Sequence, residues 1–367
     1  MSSRVLYVLV VLLSLLSILT ASCPKAPSQK GRVRLPSNCN SSTLDTEIVN
    51  QLDSIITTRV VPALFTVVFF LGLPANSIAL WVLISKAKKM PSTILLINLA
   101  AGDLFFLSAL PFKITYHFMG NNWIFGETLC RIVTAIFYGN MYCSVFFLMA
   151  ISVDRYIGIV HPFCAKALRD WRRSTCASIV IWLVAIAAAS VFTFVQQTKS
   201  FDAPSRITCH EIWASCSGYE WYTRYFLGLF IVGFAIPSVV IIFCYVLILV
   251  TLAKKNESYG RVIGFIALVL VMFILCFTPS NILLVLHYLE TDWECHNQLY
   301  FWYTLALTLT SFNSCIDPFI YCYASNDFWT AVKETLWISR LGYTVSSEGT
   351  KKTKLTSSSD KEMGLIQ

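Results

Sequence analysis

Residues 127–163 read ETLCRIVTAIFYGNMYCSVFFLMAISVDRYIGIVHPF, and this stretch decides the fold. It carries Cys130 near one end, passes through the apolar run Val145 to Ile151, and closes on Asp154-Arg155-Tyr156. As a single helix rising about 1.5 Å per residue, it is longer than a hydrocarbon core of roughly 30 Å. Its two ends therefore belong to different compartments. Asn140, Ser144, Ile151 and Arg155 recur at helical spacing, which gathers the few polar groups on one stripe that must be shielded from lipid. A helix of this kind sits at the centre of a bundle.

The composition agrees. Hydrophobic residues make up 56% of the 367-residue chain and charged residues 13%, with a mean hydropathy of +0.65, more apolar surface than one soluble core can hide. The formal charge of +8 is spread over short loops between apolar runs, which marks membrane orientation and excludes a nucleic-acid patch. Of the 13 cysteines, Cys143, Cys176, Cys244, Cys276, Cys315 and Cys322 lie in apolar runs and read as packing residues. Cys23, Cys39, Cys130, Cys209, Cys216 and Cys295 fall on one side of the expected topology, in an oxidising compartment, where six cysteines allow fifteen pairings.

In chain order, Arg4, the apolar run Leu6 to Leu19 and Thr20-Ala21-Ser22 read as a secretory signal over 1–22, too short for a span. Residues 23–59 form a polar extracellular tail without a clear period, carrying a glycosylation sequon at Asn40. Seven apolar segments fill 60–323: Val60–Ile84, Ser92–His117, Thr128–Ile159, Thr175–Gln196, Trp221–Leu252, Val262–Tyr288 and Leu299–Tyr323. Lys86, Lys88 and Lys89 follow the first, Lys166, Arg169, Arg172 and Arg173 the third, and Lys254, Lys255 and Arg261 the fifth. The positive-inside rule then puts the N-terminus outside and the C-terminus inside. Residues 324–337 suit a short amphipathic helix on the inner membrane surface, and 338–367 a solvated cytoplasmic tail open to phosphorylation. The fold class is an all-α seven-helix membrane bundle.

No catalytic or metal-binding constellation stands out, so the chain reads as no enzyme. The histidines near the outer loops read as polar contacts. Asn76, Asp103, Ser144, Asn313 and Asp317 lie inside apolar segments, where an unpaired carboxylate costs several kcal/mol, so they must find one another. Two carboxylates in one pocket invite a proton or a small cation such as sodium. Pro111, Pro237, Pro279 and Pro318 each loosen a spanning helix.

Gly72-Leu73-Pro74-Ala75-Asn76, Asn98 to Asp103, Asp154-Arg155-Tyr156, Trp182, Pro237 with Tyr245, Phe277-Thr278-Pro279 and Asp317-Pro318-Phe319-Ile320-Tyr321 resemble, in order, the helix signatures of rhodopsin-like G-protein-coupled receptors. Leu110 to His117, Gly120 to Glu127, Phe137 to Ser144, Thr208-Cys209-His210-Glu211 and Phe277 to Asn281 narrow the resemblance to the protease-activated receptors. That resemblance implies an extracellular trypsin- or thrombin-like serine protease cutting after Arg32, before Val33, with Lys30 and Arg34 as alternative cut points. The exposed Val33-Arg34-Leu35-Pro36-Ser37-Asn38 then acts as a tethered agonist, although it is not a familiar small-residue ligand sequence. Glu211 stands where the family more often has Asp.

The resemblance assigns Tyr116, His210, Glu211, His287, Tyr288, Glu290 and Tyr303 to the ligand site, and Cys130–Cys209 to a bridge. It assigns a sodium pocket to Asp103, Ser144, Asn313 and Asp317, a pivot to Phe277, and an inner switch to Asp154, Arg155, Tyr156, Tyr245, Pro279, Pro318 and Tyr321, with Asp154 paired to Arg155. It further implies a plasma-membrane location and partnership with heterotrimeric G proteins, arrestin, receptor kinases and membrane lipid. No cofactor is implied beyond an allosteric sodium ion. The rival readings are a receptor for a diffusible peptide or nucleotide and, in another class, a transporter, which predicts inverted repeats.

Overall fold

The computed structural model describes residues 46–85, 90–163, 165, 169–202, 205–210, 220–255, 260–289 and 293–324. The signal segment, the cut site, Asn40, Glu211, Glu290 and the 327–337 helix lie outside them. Six helical runs among the described residues are long and apolar enough to cross a bilayer, from Val49–Ser85 to Ile266–Leu286. In order, α1 is Thr46–Leu52, a π-helical turn covers Ile56–Val60, and α2 is Val61–Ser85. Then come α3 Pro91–Phe118, α4 Gly126–Val160 and α5 Trp171–Phe194. A hairpin of β1 Thr198–Asp202 and β2 Ser205–Cys209 follows, antiparallel, with Thr198 opposite Cys209. Next, α6 Glu220–Gly228 runs through a π-helical stretch Leu229–Ala235 into α7 Ile236–Lys255, and α8 is Gly260–Leu289. The seventh crossing is made by α9 Trp293–Ser311 and α10 Asn313–Ala324.

Local chemistry explains the boundaries. Pro91 opens α3 because its missing N–H falls among donors that a first helical turn leaves unused, and Met90 before it is extended. The π-helical stretch Leu229–Ala235 runs up to Pro237, which cannot donate to the turn before it. The expected single span Leu299–Tyr323 is interrupted at Phe312, just before the buried polar Asn313 and Ser314 and the proline at 318. Residues 46–59, expected as part of a featureless tail, instead carry α1 and the π-turn. Here Leu52 and Thr57 are buried and the Thr57 hydroxyl donates to the carbonyls of Gln51 and Leu52 at 2.9 Å each.

As its sequence anticipates, α4 lies centrally, packing on α3, α5 and α7. Phe70, Trp81, Phe105, Ile186 and Phe243 point outward, as lipid-facing residues should. In lipid the helices gain little from hiding apolar surface from one another, so close packing carries the association and small residues sit where backbones approach. A Cβ on Gly233 would come within 2.6 Å of Tyr142 Cδ1, part of a rigid buried ring, whereas a Cβ on Gly264 would meet nothing within 4 Å. Gly233→Ala should therefore destabilise the purified protein by about 1–3 kcal/mol through overpacking. Its thermal midpoint in detergent should fall while that of Gly264→Ala does not.

Candidate functional site

Near the outer end of the bundle, β2 carries Cys209, bonded to Cys130 at the start of α4 with the Cα atoms 5.8 Å apart. Glu127, on the first turn of α4, accepts from the amides of Gln197 and Thr198 at 2.9 and 2.7 Å and from the Thr198 hydroxyl at 2.6 Å. The hairpin is thus fixed to α4 by a covalent bond and by a carboxylate. Within it, partial burial holds the Lys199 ammonium below its usual pKa, with Nζ 5.2 Å from the Phe201 ring.

Pinned in this way, the hairpin aims His210 into the bundle. His210 has a left-handed backbone, φ 69°, a conformation that costs a non-glycine residue free energy and persists where its surroundings enforce it. Gln197 Nε2 donates to the carbonyls of Phe192 and Val195, so its Oε1 accepts from His210 Nδ1 at 2.7 Å. With the imidazole neutral, Nε2 accepts from the Tyr138 hydroxyl at 2.9 Å, and Tyr138 in turn accepts from Tyr303. One chain of hydrogen bonds therefore joins the outer loop to α4 and α9. Of the expected ligand residues, His210 and Tyr303 meet here.

Tyr116 does not join them. It is fully buried, edge-on to Trp123 and with Lys113 Nζ 5.4 Å from its ring, because the turn after α3 folds Trp123 over it. Tyr138 was the residue missed; its only signal was membership of the Phe137–Ser144 motif. The side chains of His287 and Tyr288 lie outside the described part.

The same face holds the root of the N-terminal tail. Asn121, left-handed at φ 58° and fully buried, donates through Nδ2 to the carbonyl of Leu52 at 2.6 Å and accepts through Oδ1 from His117 Nδ1 at 2.6 Å. Asn tolerates this backbone better than most residues. Arg206 of β2 adds a 2.6 Å contact to Asp53, although that carboxylate is half-exposed and the pair contributes little by itself.

Halfway through the membrane, the polar residues converge as expected, with different partners. Ser314 Oγ donates to Asp103 Oδ1 at 2.7 Å, and Asn313 Nδ2 to Asp317 Oδ2 at 2.7 Å. Asn76 Nδ2 donates to the Ser314 carbonyl at 2.7 Å. That carbonyl is the one whose helical donor, the amide of residue 318, is missing because 318 is proline. Ser144 is buried nearby and lines, with Asn140, Thr310, Asn313 and Phe277, a cavity of about 10 Å³, while Asp103 takes its hydroxyl from Ser314. Asn76 Oδ1, Asp103 Oδ2, Asn140 Oδ1 and Asp317 Oδ1 are buried without a donor. Four buried acceptors, two of them on carboxyl groups, leave room for a proton or a small cation.

Phe277 is buried with its ring 5.3 Å from Phe273, and toward the inner end Tyr245 is buried and lines a small cavity with Asn313. Tyr156 reaches His161 at 2.9 Å. The expected pairing of Asp154 with Arg155 is replaced, since both Asp154 oxygens accept from Arg169, Nε and Nη2 at 2.8 Å each. Adjacent helical residues point about 100° apart, and a guanidinium arriving from a loop can present its fork squarely. The side chain of Tyr321 lies outside the described part.

A seven-helix bundle with a loop bridged to its central helix and a buried polar row defines a rhodopsin-like membrane receptor, and residues 75–321 match the family described as 7 transmembrane receptor (rhodopsin family). Proteinase-activated receptor 4 of Rattus norvegicus is 39% identical over 315 residues, covering 85% of this chain and 80% of the relative. Proteinase-activated receptor 3 of Homo sapiens is 40% identical over 271 residues, 74% and 72% of the two chains. Proteinase-activated receptor 2 of Bos taurus is 40% identical over 288 residues, 77% and 73%. The chain belongs to the proteinase-activated receptors of the rhodopsin family, which are receptors and not enzymes.

Asn121→Gly keeps the left-handed backbone while removing both side-chain hydrogen bonds, so it should release the root of the tail at a cost of about 1–3 kcal/mol. Amide hydrogen exchange over 46–53 should quicken, with the Thr198–Cys209 hairpin unchanged.

Proposed function

We propose that this chain is a plasma-membrane receptor, N-terminus outside, that a trypsin- or thrombin-like serine protease switches on by cutting after Arg32. The new N-terminus, Val33 to Asn38, then binds the outer mouth and drives coupling to a heterotrimeric G protein. Membership of the proteinase-activated receptors supports the protease step. The observation on this chain that carries the tether is the fixed point at Leu52, on the same face as the His210–Tyr138–Tyr303 chain.

Leu52 lies nineteen positions after Val33. A flexible chain of that length has a root-mean-square reach of roughly 24 Å. A ligand held so close is present at millimolar effective concentration, so a peptide weak in free solution suffices. Arg34 brings a guanidinium to a mouth whose sequence carries Glu211, Glu290, Asp292 and Glu294. Ligand engaging His210 would act on α4 and α9 together through Tyr138 and Tyr303. It shifts the bundle only by as much as it prefers the active arrangement.

Within the bundle, Asp103, Asp317, Asn140 and Asn76 would hold sodium through their orphaned oxygens, and the ion supplies the positive charge that these acceptors lack. Their places beside α10, which carries Pro318, would make the ion a brake on its movement.

Native protein and Arg32→Ala should be treated with trypsin and with thrombin, the released fragments sequenced and calcium signalling recorded. The expected result is a fragment ending at Arg32 from the native chain and loss of at least nine-tenths of the signal in the variant, where the N-terminus of the ligand is never freed. Full signalling by Arg32→Ala, with Lys30→Ala and Arg34→Ala also unimpaired, would point to a diffusible ligand instead. Asp103→Asn should abolish the effect of replacing sodium by N-methylglucamine on agonist potency, measured at equal ionic strength.

A further inference from the structure

Gln197 lies between the end of α5 and the start of β1 and is 4% exposed. Its backbone is held from two sides: the amide donates to Glu127 at 2.9 Å, and the carbonyl accepts from the amide of His210 at 2.8 Å. Its side chain has one workable orientation. Nε2 faces the carbonyls of Phe192 at 3.4 Å and Val195 at 3.2 Å, while Oε1 stands 2.7 Å from His210 Nδ1. Turning the amide over would set Oε1 against two carbonyl oxygens, none of which can donate. A glutamine oxygen only accepts, so the proton of its contact with His210 sits on Nδ1.

From that proton the direction of the whole chain follows. A neutral imidazole protonated on Nδ1 offers a lone pair at Nε2, which takes the one hydroxyl proton of Tyr138. Tyr138 then has only lone pairs for Tyr303, whose own proton must point back to it. The buried Phe192 ring, stacked on Tyr138 at 4.7 Å and edge-on to the imidazole at 5.5 Å, keeps the two rings in place. With its proton committed, the Tyr303 oxygen can meet a ligand only as an acceptor.

We propose that Gln197 is a positioning residue of the ligand site: by fixing the tautomer of His210 it sets the direction of the His210–Tyr138–Tyr303 chain, and so selects a ligand group that donates. The inference rests on the tethered-ligand reading and deepens it. Cleavage after Arg32 frees the ammonium of Val33, which donates and never accepts. Without the Gln197 oxygen the imidazole is free to carry its proton on Nε2 instead. The chain then runs the other way, and the Tyr303 proton turns out of it toward the ligand, donor against donor.

The test uses the full, uncut chain in lipid nanodiscs with a heterotrimeric G protein, reading nucleotide exchange. The probes are a synthetic Val33–Asn38 peptide amide and the same peptide with desamino-valine in first place, which lacks only the ammonium. Native receptor should prefer the first peptide about ten-fold in potency. Gln197→Met, similar in shape but without the amide, should bring the two peptides within about two-fold of each other. Tyr138→Phe should do the same, and the double variant should lose nothing further, because both changes cut one chain. Nitrogen NMR with isotope-labelled histidine gives an independent measure, the His210 signal being assigned by its loss in His210→Ala. Nδ1 should carry the proton in the native protein and in Gln197→Glu, which keeps an acceptor there, and Nε2 in Gln197→Met. The Gln197→Glu signal keeps the test readable if the methionine variant folds poorly. Native receptor that answers neither peptide refutes the tethered-ligand reading itself. Native receptor that answers both peptides equally, a Gln197→Met variant that keeps the native preference, or an unprotonated Nδ1 in native His210 overturns the role of Gln197.

Discussion

Pro318 has no amide hydrogen to give the carbonyl of Ser314, and the side-chain amide of Asn76 supplies one from another helix at 2.7 Å. In hydrocarbon an unsatisfied carbonyl costs several kcal/mol, so this contact obliges α2 and α10 to lie together. The Ser314 hydroxyl then reaches Asp103, which brings in α3. One residue, two bonds and a missing hydrogen thus join three helices at mid-membrane. Thr310, one turn earlier, does the same for α8, donating to the Cys276 carbonyl at 2.7 Å and contacting Ser280 at 2.8 Å. Apolar contact alone would leave the helices nearly free to slide, because lipid tails offer the same contact.

That distinction explains what was legible in the sequence. A run of apolar residues long enough to span is a strong local signal, and the six unbroken crossings fall close to their expected places. The polar row was legible as a set because each member is costly alone. Its pairing was not, since Asn76 to Ser314 and Asp103 to Ser314 join residues more than two hundred positions apart. Ser314 gave no signal of its own, a serine in an apolar run being common. The break at Phe312 escaped for a related reason: it depends on what Thr310, Asn313 and Ser314 touch, and no glycine marks it. Trp182 shows the favourable case, reaching Asn98 at 2.9 Å from within a motif that pointed to both.

The two ends of the bundle differ in how they hold their loops. At one end, among the described residues, the Thr198–Cys209 hairpin is fixed by a disulfide and by Glu127, and Leu52 at the root of the tail by Asn121, so that part of the surface is pre-formed. A pre-formed site loses less entropy on binding, which matters for a peptide offered once and never replaced. At the other end, among the described residues, the loop after α4 is held by the Arg169 guanidinium on Asp154 and by the Tyr156 contact to His161. The short α1 escaped the sequence reading because seven residues carry too little period to stand out; its last residue, Leu52, is held by Asn121 on a distant loop.

Four buried oxygens without donors would be a poor arrangement if the bundle had only one state. Their repulsion falls if a cation enters, and it also falls if α10 moves so that a donor or water arrives. These remedies compete for the same atoms. Were an ion to favour the first arrangement and ligand the second, each would weaken the other by the same factor, as linkage requires. Strong coupling between the outer mouth and mid-membrane does not require a ligand to reach the ion. It would require only that Tyr303 on α9 and Asp317 on α10 move together, and both lie on the one crossing that is interrupted at Phe312.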